Sequence, residues 1–367
     1  MSTNRRIYLD FNATAPLVPA ARDAMTEAMA HTGNPSSIHA EGRQMRDRVE
    51  RARNQVAALV GRPREQIVFT SGGTEANWLG VMALAAEAEA RGLPRVVATT
   101  AIEHPSLRGA VEALRPRGWD VIIVGVSGAE ALPERRPSVL AFGLVNHELG
   151  TVLPGQLREW AQPAMTHIDA VQAVGKRDLS LVACQSLAIS AHKIGGPQGI
   201  GALALSVDGG LPLHDGGHQE RGRRPGTENT LGIVGFGAAA AAVDSEAWSR
   251  IKQLGAQLEA GVRSIPDSRI HGVDLERVGT TINAGFAGAR GESIVMALDI
   301  QGISVSTGAA CTSGSVQPSA VLLGLGYPAE QAREAVRFSL GPTTTEDEIK
   351  QVLAVLPNIV ERARRHR

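Results

Sequence analysis

Lys193 and Cys311 are the two residues of this chain best placed by their neighbours to act as nucleophiles. Leu187–Gly201 reads LAISAHKIGGPQGIG, a short apolar run that ends in Ser-Ala-His-Lys and is followed by a Gly-Gly-Pro turn. A lysine at a strand end beside such a turn can be partly desolvated. Desolvation lowers its pKa and suits it to Schiff-base chemistry. Ser190 and His192 flank it and could bind a phosphate; the alternative is an exposed turn lysine. Cys311 lies in SVSTGAACTSGS, among small and polar residues. This composition predicts a mobile loop. A free thiol of pKa ~8.5 is only a few per cent thiolate near neutral pH, yet intrinsically nucleophilic. Cys184, in the apolar stretch Leu181–Leu187, reads instead as a buried small hydrophobe.

Other segments supply what a Schiff-base lysine would need. Gln66–Asn77 reads QIVFTSGGTEAN: a strand, two glycines and a helix start. Backbone N–H groups and the helix dipole there favour a phosphate, and Thr74 adds a hydroxyl; the alternative makes Thr74 a plain N-cap. Asp169, at the end of the apolar run in THIDAVQ, could pair with a pyridinium nitrogen and keep it protonated. It could equally cap a helix. His104 follows an apolar run and could stack on a planar ring, or be a polar loop histidine.

These residues require a framework of strands that end together. Apolar runs at Gln66–Ser71, Arg95–Thr100, Asp120–Val124, Ser138–Val145, Met165–Asp169, Leu187–Ser190 and Gly201–Ser206 alternate with helical patterns at Ala20–Ala30, Glu41–Val60, Thr74–Ala90 and Ser106–Leu114. That alternation predicts a mostly parallel sheet wrapped by helices. Gly209–Thr230, rich in Gly, His and Arg, reads as an ordered loop. A long helix over Thr230–Val262 is expected next. Strands at Thr280–Phe286, Ile303–Ser306 and Ala335–Leu340 and helices at Ser293–Leu298 and Thr345–Arg362 follow, a smaller α+β unit with which the first dozen residues could pack. The domain boundaries expected are 15–245 for the large unit, and 1–14 with 246–367 for the small one.

Composition removes several classes. The 367 residues carry 37 acidic and 37 basic side chains, which argues against nucleic acid or membrane as a bulk partner. Gly232–Val243, the longest small-apolar stretch, falls short of the ~20 residues of a spanning helix. The N-terminus lacks an apolar h-region, so a cytoplasmic protein is expected. Two cysteines build neither a disulfide framework nor a Cys-x-x-Cys zinc site, and the spacing of His214, His218 and Cys311 fits no zinc pattern. No resident metal is expected, only a possible transient iron–sulfur contact through Cys311.

Taken in order, the motifs resemble the class V aminotransferase superfamily of fold type I, and within it the cysteine desulfurases of the NifS/IscS class. They are Tyr8-Leu-Asp-Phe-Asn-Ala-Thr, Asn34-Pro-Ser-Ser-Ile-His, Ser71-Gly-Gly-Thr-Glu-Ala-Asn, Glu103-His, Asp169-Ala-Val-Gln, His192-Lys-Ile-Gly-Gly-Pro, Arg221-Gly-Arg-Arg-Pro-Gly-Thr-Glu-Asn, Ser306-Thr-Gly-Ala-Ala-Cys-Thr-Ser and Arg337-Phe-Ser-Leu-Gly. The short spacing from Cys311 to Leu322-Leu-Gly-Leu-Gly resembles the IscS/NifS group more than the SufS group.

The resemblance implies a seven-stranded, mostly parallel sheet, pyridoxal 5'-phosphate (PLP) as cofactor, L-cysteine as substrate and L-alanine as product. It implies that Lys193 forms the Schiff base, Asp169 contacts the pyridine nitrogen and Gln172 the ring hydroxyl, and that His104 stacks on the ring and moves protons. It assigns the phosphate to Gly73, Thr74, Ser190 and His192, with Thr227 reaching the phosphate of the other subunit of a homodimer. Arg337 would bind the substrate carboxylate, Asn34 would lie near the substrate, and Cys311 would take the sulfur as a persulfide for acceptor or scaffold proteins in iron–sulfur cluster, thio-cofactor or tRNA assembly. One position departs: where the family usually has Asn-Asn-Glu, this chain reads Asn146-His147-Glu148, which puts a bulkier, titratable imidazole near the ring hydroxyl. A selenocysteine lyase or another class V aminotransferase-type enzyme is the alternative, as is a protein acting chiefly as a sulfur-delivery platform. The basic end, Arg362-Ala-Arg-Arg-His-Arg, reads as a solvated, frayed helix terminus.

Overall fold

The computed structural model describes residues 6–126, 132–207, 215–307 and 317–365. The chain opens with β1 (Ile7–Tyr8), then α1 (Pro19–Met29) and α2 (Ala40–Val60). Proline at the first turn of α1 and left-handed Gly61 closing α2 mark these boundaries. The central run follows: β2 (Ile67–Thr70), α3 (Gly73–Ala90), β3 (Val96–Thr100), α4 (Pro105–Glu112), β4 (Asp120–Val124), β5 (Val139–Gly143), α5 (Gly155–Ala161), β6 (Met165–Asp169), β7 (Ser186–Ser190) and β8 (Gly201–Leu205). Strands β2 to β8 form one seven-stranded sheet in the order β2-β8-β7-β6-β5-β3-β4. Strand β8 runs antiparallel to both neighbours, and the other pairings are parallel. Strands β2, β3, β6, β7 and β8 are almost wholly buried, as expected where helices cover both faces.

The remainder is α6 (Thr230–Ala241), α7 (Ser245–Arg263), β9 (Ser268–Ile270), β10 (Thr281–Phe286), α8 (Gly291–Ile300), β11 (Ile303–Ser304), α9 (Ala320–Gly324), α10 (Ala329–Arg333), β12 (Ala335–Ser339) and α11 (Glu346–Arg365). A three-stranded antiparallel sheet, β12-β10-β9, packs with α7, α8 and α11 around a second apolar core. Ile7 and Leu9 belong to that core, and β1 pairs in parallel with β11, so the N-terminal segment does pack there.

Three expectations change. The single helix over Thr230–Val262 is two helices. α6 ends at Ala241 and Asp244 caps α7 by accepting the Glu246 N–H at 2.8 Å. A fully apolar α6 packs against α1 and α2, whereas α7 is amphipathic and faces the second core, so one straight rod could not serve both. The strand expected over Ile303–Ser306 is continuous only at Ile303–Ser304, and Ser306 pairs instead with Arg337 of β12 in an isolated antiparallel bridge. The C-terminal helix is not frayed through Arg365: Arg364 donates to the carbonyls of Ala287 and Pro266.

Candidate functional site

The parallel strands deliver their C-terminal ends to one side of the sheet, and a cavity of about 840 Å³ lies there. Gly73, Thr74, His104, His147, Asp169, Gln172, Ser190, His192, Lys193 and Arg337 all line it. Asn34 and Thr227 do not. Asn34 is exposed, with its Oδ1 accepting the Ser36 N–H at 2.9 Å, and Thr227 is exposed on the loop that precedes α6. Cys311 lies outside the described residues. Cys184 is half-buried against the main core rather than fully sealed.

Lys193 follows β7 in a single 3₁₀ turn. Its Nζ donates to the carbonyl oxygens of Asn12 and Ala13 at 2.5 and 2.9 Å, so the N-terminal segment holds the amine. Burial, and then the Arg337 guanidinium, push its pKa down to about 8, against the raising pull of Asp169 and Asp10. About a tenth of the amine is therefore uncharged at pH 7, far more than for an ordinary lysine, as nucleophilic attack requires. His192 donates or accepts at Thr14 Oγ1, 3.2 Å away, and burial followed by Lys193 lowers its pKa to about 4.

The anion end is built by α3. Its N-cap is Gly72, which makes no side-chain cap bond, so the first amides are left for another acceptor. A Cβ at Gly73 would stand 2.9 Å from Val171 Cγ2 and 3.5 Å from Ser190 Cβ, so the cradle depends on glycine. This bears on Thr74: it lies inside the helix and is not its cap.

Asp169 ends β6. Its Oδ1 accepts the Val171 N–H at 2.9 Å, the local cap that its position allowed, and its Oδ2 accepts from Asn77 Nδ2 at 2.7 Å. Asn77 Nδ2 also donates to Ser106 Oγ, which contacts His104 Nδ1 at 2.8 Å. His104 caps α4 by accepting the Ser106 N–H. Its Nδ1 is thus an acceptor, and in the neutral ring the proton sits on Nε2. Burial lowers the His104 pKa first, and Lys193 adds to it, against Asp169.

The His147 ring stands edge-to-face with His104, centroids 5.0 Å apart. Burial, then His104, Arg337 and Lys193, hold it well below the usual imidazole range, so it is neutral. Asn146 fixes the turn: its Oδ1 accepts the N–H groups of Glu148 and Leu149, and its Nδ2 donates to the Ile102 carbonyl. His147 therefore sits on a turn held by Asn146.

Arg337 projects from β12 with its NH2 donating to Asp10 Oδ1 at 2.8 Å and NH1 to the His147 carbonyl at 3.1 Å. Each of these terminal nitrogens carries a second N–H, so the fork has donors left for a carboxylate. Gln172 Nε2 donates to the Asn12 carbonyl, and its Oε1 accepts from Lys176 Nζ at 3.3 Å. The donor set thus offers an amine, a phosphate cradle, a carboxylate for a ring nitrogen and a guanidinium fork in one cavity, which fits a phosphorylated pyridine aldehyde.

Residues 7–352 match the class-V aminotransferase family model. The chain belongs to that family. It is 41% identical to a protein named cysteine desulfurase from Trichormus azollae, over 98% of this chain and 94% of the relative. It is 35% identical to one named cysteine desulfurase IscS from Dictyoglomus turgidum, over 98% of this chain and 96% of that one. Among solved structures, one titled NifS-like protein superposes with a TM-score of 0.85 at 28% identity, covering 97% of this chain and 99% of the other. Enzymes of this class-V group are PLP-dependent.

Asn12 and Asn77, which also line the cavity, and His167 and Lys176, which stand behind it, carry no role in the sequence reading. Two signals existed: Asn77 lies three residues after Thr74, on the same helix face, and His167 lies two residues before Asp169, on the same face of β6.

Proposed function

We propose that this chain is a PLP-dependent cysteine desulfurase that converts L-cysteine to L-alanine and passes the sulfur to Cys311. The observation that carries the reading is Lys193, a half-buried amine of lowered pKa that shares its cavity with Asp169, Arg337 and the uncapped start of α3. When bound, the cofactor supplies an electrophilic carbon for Lys193 and an electron sink for the substrate α-carbon. Gly73, Thr74, Ser190 and His192 hold its phosphate, Asp169 its ring nitrogen, Gln172 its ring hydroxyl, and His104 one ring face beside His147.

Arg337 orients the substrate carboxylate through its fork. Lys193, as free amine, takes the α-proton, and His104 Nε2 can hold or move a proton at the same face. The Cys311 thiolate attacks the substrate sulfur. The Cβ–Sγ bond breaks, its electron pair stays on carbon and takes up a proton, alanine leaves, and Cys311 carries the persulfide. Ser306 and Gln317 both line the cavity, and the sequence between them contains Cys311, which supports this assignment.

The same reading makes the protein a cytoplasmic homodimer in which exposed Thr227 reaches the partner's phosphate, with Asn34 near the substrate and a sulfur acceptor in iron–sulfur, thio-cofactor or tRNA assembly. It divides the chain into a large unit over 15–245 and a small one over 1–14 and 246–367, in keeping with Ile7 and Leu9 lying in the second core. Among the described residues no helix is long and apolar enough to cross a membrane.

The test is PLP absorbance with alanine and sulfide production from L-cysteine in dithiothreitol. Cys311→Ala is expected to keep the absorbance and lose sulfide release. Undiminished sulfide from that variant removes Cys311 from the mechanism. Turnover of L-selenocysteine alone, or accumulation of the pyridoxamine form, would replace the reading with a lyase or an aminotransferase.

A further inference from the structure

We propose that Asn77, His167 and Ser186 form a buried hydrogen-bond relay that holds Asp169 in a single rotamer, with both carboxylate oxygens accepting, at the ring-nitrogen position. The inference rests on the PLP reading of the cavity. His167 and Ser186 do not line the cavity, so neither can touch the cofactor.

The hydrogen positions follow from the partners. Asp169 Oδ1 takes a backbone N–H, and Oδ2 lies 2.7 Å from Asn77 Nδ2, so the carboxylate accepts at both oxygens. The Asn77 amide must present its NH₂ group to Asp169, which turns Oδ1 toward His167 Nε2 at 3.0 Å. An amide oxygen only accepts, so Nε2 bears the imidazole proton. His167 Nδ1 then accepts, and the hydroxyl 2.8 Å away on Ser186 is its donor. Asn77, His167 and Ser186 are 1%, 0% and 0% exposed, so water cannot replace a lost partner. Burial lowers the His167 pKa to about 3, which keeps the ring neutral and the direction of the relay fixed.

The neighbours are shaped for this arrangement. A Cβ at Gly80 would stand 2.4 Å from both His167 Nδ1 and Ser186 Oγ, so α3 can approach β6 and β7 closely enough only with glycine there. Asn77 also donates to Ser106 Oγ, the group that contacts His104 Nδ1. One buried amide therefore ties the residue expected at the ring nitrogen to the residue expected on the ring face. Asn77, His167 and Ser186 are positioning residues, acting through Asp169 and His104.

The holoenzyme tests this with three variants and two readouts, the pH midpoint of the bound cofactor's visible absorbance and its retention on dialysis. His167→Leu removes the donor to Asn77, His167→Gln keeps an amide donor, and Ser186→Ala removes the last hydroxyl with little change in volume. A ring nitrogen that has lost its proton withdraws less, leaving the Lys193 nitrogen more basic. His167→Leu is therefore expected to raise the midpoint by about half a pH unit and weaken retention about tenfold, the size typical of losing a group that orients a ligand. His167→Gln should recover most of both, and Ser186→Ala should shift them the same way by less. Midpoint and retention unchanged in His167→Leu, with only the thermal midpoint lowered, overturn the relay and leave packing. If His167→Leu does not fold, Ser186→Ala decides alone, and no shift in it overturns the relay. Absence of any chromophore in the unsubstituted protein overturns the cofactor reading, and the relay with it.

Discussion

The Arg337 guanidinium donates to Asp10 Oδ1 at 2.8 Å, joining β12 to the N-terminal segment at the cavity wall. Asp10 and the His147 carbonyl each take one N–H of a terminal nitrogen, which leaves each nitrogen a second N–H for a carboxylate. Arg337→Lys keeps the charge and loses the planar fork. It is expected to raise KM for L-cysteine about tenfold or more, the size of a lost charge-assisted hydrogen bond, with kcat changed far less. Steady-state kinetics with L-cysteine check this; a fall in kcat with KM unchanged would contradict it.

Arg337 and Asp10 act on Lys193 in opposite directions, Arg337 lowering its pKa and Asp10 raising it. The rate at which apoprotein captures PLP should rise through pH 8, where the Lys193 amine loses its proton, and not near the value of an ordinary lysine. Arg337→Met removes a repelling cation and should move that profile to higher pH. Asp10→Asn removes an attracting anion and should move it lower. Stopped-flow absorbance at several pH values reads both, and shifts of the same sign in the two variants would refute the electrostatic account.

Lys176 is a half-buried cation whose Nζ donates to Asn12 Oδ1 and Gln172 Oε1 at 3.4 and 3.3 Å and lies over the Trp248 ring. Burial, then Lys193 and Arg337, lower its pKa to about 7. The unfolded chain thus binds more protons than the folded one between about pH 7 and the ordinary lysine value, so this group's contribution to stability rises with pH across that window. Its penalty is complete below pH 7 and vanishes at high pH. Lys176→Met should therefore raise the thermal midpoint most near pH 6.5, and the gain should shrink as pH approaches 10. A gain independent of pH would show that the charge is not the cause.

Arg53 and Glu220 form a buried bidentate pair at 2.7 and 2.8 Å, and Glu220 Oε2 also accepts the Phe69 N–H. Glu220 holds a left-handed backbone, φ 49°, to reach it. Glu220→Ala leaves the buried guanidinium only Glu50 and the Ile67 carbonyl, and should cost about 3 kcal/mol. Thermal unfolding measures that loss. Limited proteolysis near Thr227 should also accelerate, because this pair anchors the loop that carries it.

Much of this architecture was legible in the chain. Short apolar runs bounded by glycine and polar residues located all seven strands of the large sheet, because strands buried on both faces leave an uninterrupted apolar signature and the exposed edge strand β4 is still rich in Val and Ile. The motif residues Gly73, Asp169, Ser190 and Lys193 sat at strand ends or helix starts, which in a parallel sheet are gathered on one side. The break between α6 and α7 was not legible, since both halves are helical by pattern and only their opposite packing partners separate them.

By itself the sequence determined the family, the alternation of strands and helices, and ten of the residues that face the cavity, because residue type and local spacing encode these. Tertiary structure decided what supports them. Asp10 meets Arg337 across 327 positions, Asn12 meets Lys193 across 181, and Asn77 meets Asp169 across 92. Such pairs leave no periodicity or spacing in the chain. They arise only when the sheet closes and burial obliges each polar group to find a partner.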